Sequence, residues 1–202
     1  MKKWKLTITT LILGTILYSP KVSAKNLSNI SEFRIKSSFL AQTNLKEAVV
    51  YFHRGLNRHT SGDLKGAIEE YTQALRLHPN FAEVYYKRGF TRHRLGDLKG
   101  AIADYNQCIS INSNYSGVYN HRALARHDLG DLKGAIEDYN QALLLNPKFP
   151  EAHKNRGITR HHLGDHQGSI TDLKIAANLF QQQKRITNYQ EVIELIQKID
   201  RK

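Results

Sequence analysis

The dipeptide Gly-Asp occurs at 62–63, 96–97, 130–131 and 164–165, each 34 residues after the last. Whole phrases recur around it: SGDLKGAI at 61–68, LGDLKGAI at 95–102 and 129–136, and LGDHQGSI at 163–170. A fixed period of this length builds an array, because one small unit cannot bury its apolar face except against copies of itself. Such an array presents a long continuous surface. Its expected work is recognition rather than catalysis.

Alignment on Gly-Asp gives four units, 48–81, 82–115, 116–149 and 150–183, each reading as two helices joined by a short turn. In the third unit Val118, Tyr119, Leu124 and Ala125 mark the first helix. Leu132, Ile136, Tyr139, Leu143 and Leu144 recur at helical spacing in the second. Gly130 can adopt the left-handed backbone that ends one helix, and the Asp131 carboxylate can cap the next. Pro79 and Pro147 stop the second helix in two units. Beyond the array, within 184–202, the stretch TNYQEVIELIQKID at 187–200 places Tyr189, Val192, Ile193, Ile196 and Ile199 on one helix side. It is expected to cap the apolar end of the stack. The fold class is all-α, a solenoid of four helix-turn-helix units with a C-terminal capping helix.

The recurring positions also resemble a known family. An aromatic, a small residue four positions on, a small–aromatic–small set and a proline appear as Tyr51, Gly55, Ala67, Tyr71, Ala74 and Pro79. The second unit has Tyr85, Gly89, Ala101, Tyr105 and Cys108, with Ser113 in place of proline. The third has Tyr119, Ala123, Ala135, Tyr139, Ala142 and Pro147. The fourth departs furthest, with His153, Gly157, Ser169, Leu173, Ala176 and Gln181. This pattern resembles the tetratricopeptide repeat. The resemblance implies a non-catalytic protein-binding scaffold that holds a peptide or helix of a partner in a concave groove. On the face that lines the groove in that family stand Phe52, Leu56, His59, Tyr86, Phe90, His93, Asn120, Leu124, His127, Lys154, Ile158 and His161. Spacings of four and three keep each unit's three residues on one helix side. Some family members bind acidic chaperone C-termini through a lysine–asparagine clamp. Here Leu56, Phe90, Leu124 and Ile158 occupy the positions where that clamp needs asparagine, so this function is set aside.

Three further rows run through the array. Arginine recurs as Arg54 and Arg58, Arg88 and Arg92, Arg122 and Arg126, and Arg156 and Arg160, in phase with Glu70, Asp104, Asp138 and Asp172. Pairs four apart share a helix face, and the planar guanidinium suits bridging carboxylates between helices. The rows are therefore expected to be structural rather than an anion-binding stripe. Gly66, Gly100, Gly134 and Gly168 sit in the first turn of each second helix, where glycine costs about 1 kcal/mol against alanine. That cost points to a close contact, with an arginine or tyrosine. The histidines His59, His93, His127 and His161 repeat too far apart, on the order of 10 Å from helix spacing, to share one metal ion. They read as a groove surface that gains charge near pH 6–7. His153, His161, His162 and His166 form the best local cluster for a metal.

Lys2, Lys3 and Lys5 precede an apolar stretch, Leu6 to Tyr18, then Pro20 and the small residues before Lys25. This reads as a secretory signal peptide over 1–24, its apolar run short of the ~18–20 residues that span a bilayer. Residues 25–47 scatter Ser, Asn and Lys among isolated apolar residues and read as a partly disordered leader, with a weak extra helix around 33–40. Loss of the signal removes Lys2, Lys3, Lys5 and Lys21 and takes the formal charge from +12 to +8. A basic product favours a protein or peptide partner of acidic character, and export argues against nucleic acid. The expected location is the periplasm, or the thylakoid lumen in an oxygenic phototroph, with no stable membrane insertion after cleavage. Cys108 is the only cysteine and cannot form an internal disulfide. No phosphate-cradling glycine loop, cysteine ligand pair or nucleophile–base spacing occurs, so neither an enzyme nor a cofactor is expected. Two alternatives remain, a self-associating structural or assembly factor and an anion- or metal-binding carrier.

Overall fold

The computed structural model describes the backbone of residues 24–200 and the side chains of 32–200. The signal peptide expected over 1–24 lies, apart from Ala24, outside the described residues. Among the described residues there are nine helices and no strand: α1 (Ala24–Thr60), α2 (Leu64–Leu77), α3 (Ala82–Arg94), α4 (Leu98–Ile111), α5 (Ser116–Asp128), α6 (Leu132–Leu145), α7 (Pro150–His162), α8 (His166–Gln182) and α9 (Ile186–Asp200). None of them is long and apolar enough to cross a membrane.

The chain divides into two compact units at Lys46 and Glu47. In the first, the leader expected to be partly disordered is helical as far as it is described. Neither glycine nor proline interrupts the chain between Ala24 and Gly55, and an exposed Glu32–Lys36 pair at 2.6 Å adds support one turn apart. Composition suggested disorder; the absence of helix breakers favours helix. Phe33, Ile35, Phe39 and Leu40 stand well exposed on it.

In the second unit every turn between paired helices is built alike. Gly62, Gly96, Gly130 and Gly164 hold φ between +82° and +90°, a region costly for any residue with a Cβ. The following aspartate, Asp63, Asp97, Asp131 or Asp165, accepts a hydrogen bond from the amide of the first-turn glycine at 2.9–3.0 Å. This explains the retained glycine: a Cβ on Gly134 would stand 2.2 Å from the Asp131 carboxylate, and the same holds at Gly66, Gly100 and Gly168. The closest contact is with the capping aspartate, and the expected arginine is there as well: Arg58 lies against Gly66, while Arg92, Arg126 and Arg160 donate to the Gly100, Gly134 and Gly168 carbonyls at 3.1–3.3 Å.

The core runs along the contact between first and second helices. Tyr71, Tyr105 and Tyr139 are fully buried, each in a slot left by a small residue on the first helix; a Cβ on Gly55 would meet the Tyr71 ring at 2.4 Å. Second helices end at Leu77, Ile111 and Leu145, whether or not a proline follows. Where Ser113 replaces proline, the Asn112 side chain accepts from the Asn114 amide at 3.1 Å and turns the chain itself. In the fourth unit, Gln181 replaces proline and α8 continues to Gln182. The extra turn carries Phe180, which is buried with Ala176 and Ala177 in one cluster with Val192 and Ile199 of α9.

Candidate partner-binding groove

Successive first helices touch one another, α3 with α5 and α5 with α7, whereas second helices meet first helices on either side. The first helices therefore form the inner face of the stack, and two sets of contacts determine what they offer there.

The first set joins the two helices of a unit. Asp104, nearly fully buried, receives the Arg88 guanidinium through two nitrogens at 2.9 and 2.7 Å, and Arg92 at 2.9 Å. Arg122 and Arg126 hold Asp138 in the same way, at 2.5 and 3.0 Å at their nearest nitrogens. Arg156 and Arg160 hold Asp172, at 2.6 and 2.8 Å. Burial pushes the Asp172 carboxyl up, but hydrogen bonds from His153 and Arg156 and the charges of Arg156 and Arg160 outweigh it, so the group lies below its ordinary range. A third nitrogen of Arg88, Arg122 and Arg156 reaches back to Thr72, Asn106 and Asn140 of the preceding unit. The first unit differs. Arg58 meets Glu70 at 3.2 Å and Asp63 at 2.8 Å, while Arg54 lies exposed over the Tyr51 ring at 5.6 Å. The arginine rows are structural, as their phase with the acids suggests.

The second set joins first helices of neighbouring units at a spacing of 35. His59 Nε2 meets Arg94 at 3.0 Å, His93 Nε2 meets Asp128 at 2.7 Å, and His127 Nε2 meets His162 Nδ1 at 2.9 Å. Tyr86 packs on His121 with ring centroids 5.5 Å apart, and Asn155 donates to Asn120 at 3.4 Å. His59 also contacts Thr91 Oγ1 at 2.8 Å. His59, His93 and His127 therefore belong to the junctions rather than to an open surface, whereas His161 meets His166 of α8 at 3.0 Å. Burial first, then the charges of Arg94 and Lys87, hold the His59 imidazole below its ordinary range.

Two of the expected groove residues are buried and offer no surface to a partner. Phe52, 6 % exposed, closes the N-terminal core against Phe81 and Tyr71, because no preceding repeat supplies that packing. Asn120, 4 % exposed, is covered by the fourth unit. Lys154 is tied to Glu191 of α9 at 3.7 Å. Leu56, Phe90, Leu124 and Ile158 form a half-buried apolar row along the inner face, flanked by Tyr86 and by His59, His93, His127 and His161. At the C-terminal end an open pocket of about 360 Å³ is lined by Ile158, His161, His162, Leu195, Lys198 and Ile199. His153 is not part of the cluster expected around His161: it is buried against Asp172 and the Pro147 carbonyl. Among the described residues no group of three or more His, Cys, Asp or Glu side chains is arranged to hold a metal ion.

Sequence reasoning missed His121, Asp128 and the pairing of His127 with His162. His121 sits among the rings of Tyr86, Phe90 and Tyr105, its Nδ1 buried without a hydrogen-bond partner among the described residues. Burial, reinforced by His93 and Lys87, brings its pKa down to about 4. Comparing positions 35 rather than 34 apart would have found all three.

Models of the family match residues 55–96 and 123–164, described as TPR repeat, and residues 82–115, described as tetratricopeptide repeat. The chain belongs to the tetratricopeptide repeat family. No curated protein matches the sequence. Among solved structures, a crystal structure of MamA is similar over 81 % of this chain and 98 % of that one, with 19 % identity and a TM-score of 0.66. The first TPR of Spaghetti (RPAP3), bound to the HSP90 peptide SRMEEVD, covers 59 % of this chain and 95 % of its own, with 27 % identity and a TM-score of 0.58. The TPR2B domain of yeast Sti1, in a complex with an Hsp70 peptide, is similar over 59 % of this chain and 96 % of its own, with 21 % identity and a TM-score of 0.57. These two neighbours, each with a peptide bound, share the helical stack of this chain.

Proposed function

We propose that this chain is an exported, non-catalytic scaffold that holds an extended segment or helix of a partner protein against the inner face of its first helices. One observation carries the reading. The half-buried arginines and buried carboxylates of the last three units are paired with one another, whereas the row Leu56, Phe90, Leu124 and Ile158 remains half open and is bordered by exposed junction partners that differ from unit to unit, Arg94, Asp128 and His162. Sameness serves packing; an apolar row with irregular polar borders suits an irregular partner. A solved relative with the same stack, the RPAP3 domain, holds a peptide. The chain's positive charge favours an acidic partner, and the N-terminal segment favours the periplasm or thylakoid lumen.

The test is a Leu124→Glu variant assayed for partner capture from the exported fraction and for melting temperature. Loss of capture with little change in melting supports the inner face. Undiminished capture moves the site elsewhere. A self-associating role is the second reading, favoured by the exposed Phe33, Ile35, Phe39 and Leu40 of α1. Light scattering of the full chain across concentration distinguishes it: a mass that stays monomeric removes it.

A further inference from the structure

Three junctions carry a histidine, and the last of them has the chemistry of a ligand site. The Asp128 carboxylate is met by His93 Nε2 at 2.7 Å and by His127 Nδ1 at 3.3 Å. An ionised carboxylate only accepts, so both nitrogens donate. His127 therefore carries its proton on Nδ1, and its Nε2 lone pair points across the junction. There it meets His162 Nδ1 at 2.9 Å, the rings stacked at 19°. A carboxylate behind one imidazole, with that imidazole's free nitrogen converging on a second, is the arrangement that orients and strengthens metal-ligating histidines. Both residues end helices, His127 in the last turn of α5 and His162 in the last turn of α7. The partial negative charge of helix C-termini favours a cation there. His162 is exposed, so the pair is open to solvent.

We propose that His127 Nε2 and His162 Nδ1 bind a borderline divalent transition cation of the nickel(II) or copper(II) type, cross-linking the third and fourth units. On binding, the proton that His162 Nδ1 now donates moves to His162 Nε2, so that both facing nitrogens offer lone pairs to the cation and no net proton is released. Bonds of about 2.0–2.1 Å to nitrogens 2.9 Å apart subtend close to 90°. That is the angle of neighbouring ligands in square-planar or octahedral coordination, which imidazole-bound nickel and copper adopt. With two protein nitrogens, water completes the set, in keeping with the absence of a three-residue group among the described residues.

The test titrates the tag-free full chain with NiCl2 in a calorimeter, with MgCl2 as control. About one nickel per chain and no magnesium are expected, since imidazole does not suit magnesium. His162→Ala, at an exposed position, is expected to abolish nickel binding with an unchanged melting temperature in the absence of metal. Asp128→Asn is expected to weaken it at least roughly tenfold by releasing the His127 ring, and His166→Ala to leave it intact. The proposal is overturned if the wild-type chain takes up no nickel. It is equally overturned if His162→Ala binds as tightly as wild type, or if His166→Ala alone abolishes binding, which would assign the ion to the His161–His166 contact instead.

Discussion

Within the last three units, the two helices are joined by one device: a buried aspartate gripped by two arginines four residues apart, with His153 added only in the fourth. Between units, the first helices meet through pairs that share a spacing but not a chemistry, histidine with arginine, histidine with aspartate, histidine with histidine. The contrast shows how a repeat divides its labour. The clasp holds each hairpin in the same geometry, and its second arginine also faces the capping aspartate at 3.6–3.8 Å, so that two carboxylates balance the two guanidiniums. Junction positions are free to differ, because the clasps already hold the hairpins and link them backward through Thr72, Asn106 and Asn140.

The largest effect should come from breaking a clasp. Asp138→Ala leaves Arg122 and Arg126 half-buried without their counter-charge, and the expected loss is about 3–5 kcal/mol in urea unfolding. A loss below about 1 kcal/mol would show that water already compensates these charges, and the distinction between clasp and junction would fall.

A junction should reveal itself by pH instead. An imidazole titrates near 6.5 in an unfolded chain, whereas His121 in the fold titrates at about 4. Below pH 6.5 the unfolded state takes up a proton that the folded state refuses. The contribution is therefore intact above pH 6.5 and is lost as pH falls towards 4, by at most about 3 kcal/mol. His121→Phe should flatten that part of the stability profile. An unchanged slope in the variant would place the sensitivity at another group.

Smaller effects test the turn and the exception. Gly134→Ala forces the Asp131 cap aside, with an expected cost of about 1–2 kcal/mol by chemical denaturation; wild-type stability would mean that the cap relaxes without loss. Arg54→Ala, at the row position that meets no carboxylate among the ion pairs of the described residues, should cost less than about 0.5 kcal/mol. A cost matching that of Arg122→Ala would make the first unit energetically equivalent to the others.

Much of this fold was legible before the structure. The 34-residue period, the glycine at positive φ, the aspartate cap and the arginine–carboxylate phase follow from residues within one unit. The candidate site was legible only in part. The apolar row Leu56, Phe90, Leu124 and Ile158 lies on the inner face, but Phe52 and Asn120 are buried and His59, His93 and His127 are spent in the junctions. The errors at Asn120 and at these histidines share a cause. Equivalent residues were compared 34 apart, while helices packed at an angle bring residues 35 apart into contact.

The sequence by itself therefore determined the hairpin: its length, its turns, its small-for-large packing and its internal charge pairs. Each of these depends on neighbours close in the chain, where backbone sterics and helical spacing leave few choices. Only the tertiary structure decided that α8 runs on past Gln181 to bury Phe180 under α9, that Lys154 faces Glu191, and that His127 reaches His162. These depend on the angle and offset at which one unit rests on the next. That offset arises from the packing of many side chains at once, and no single residue announces it.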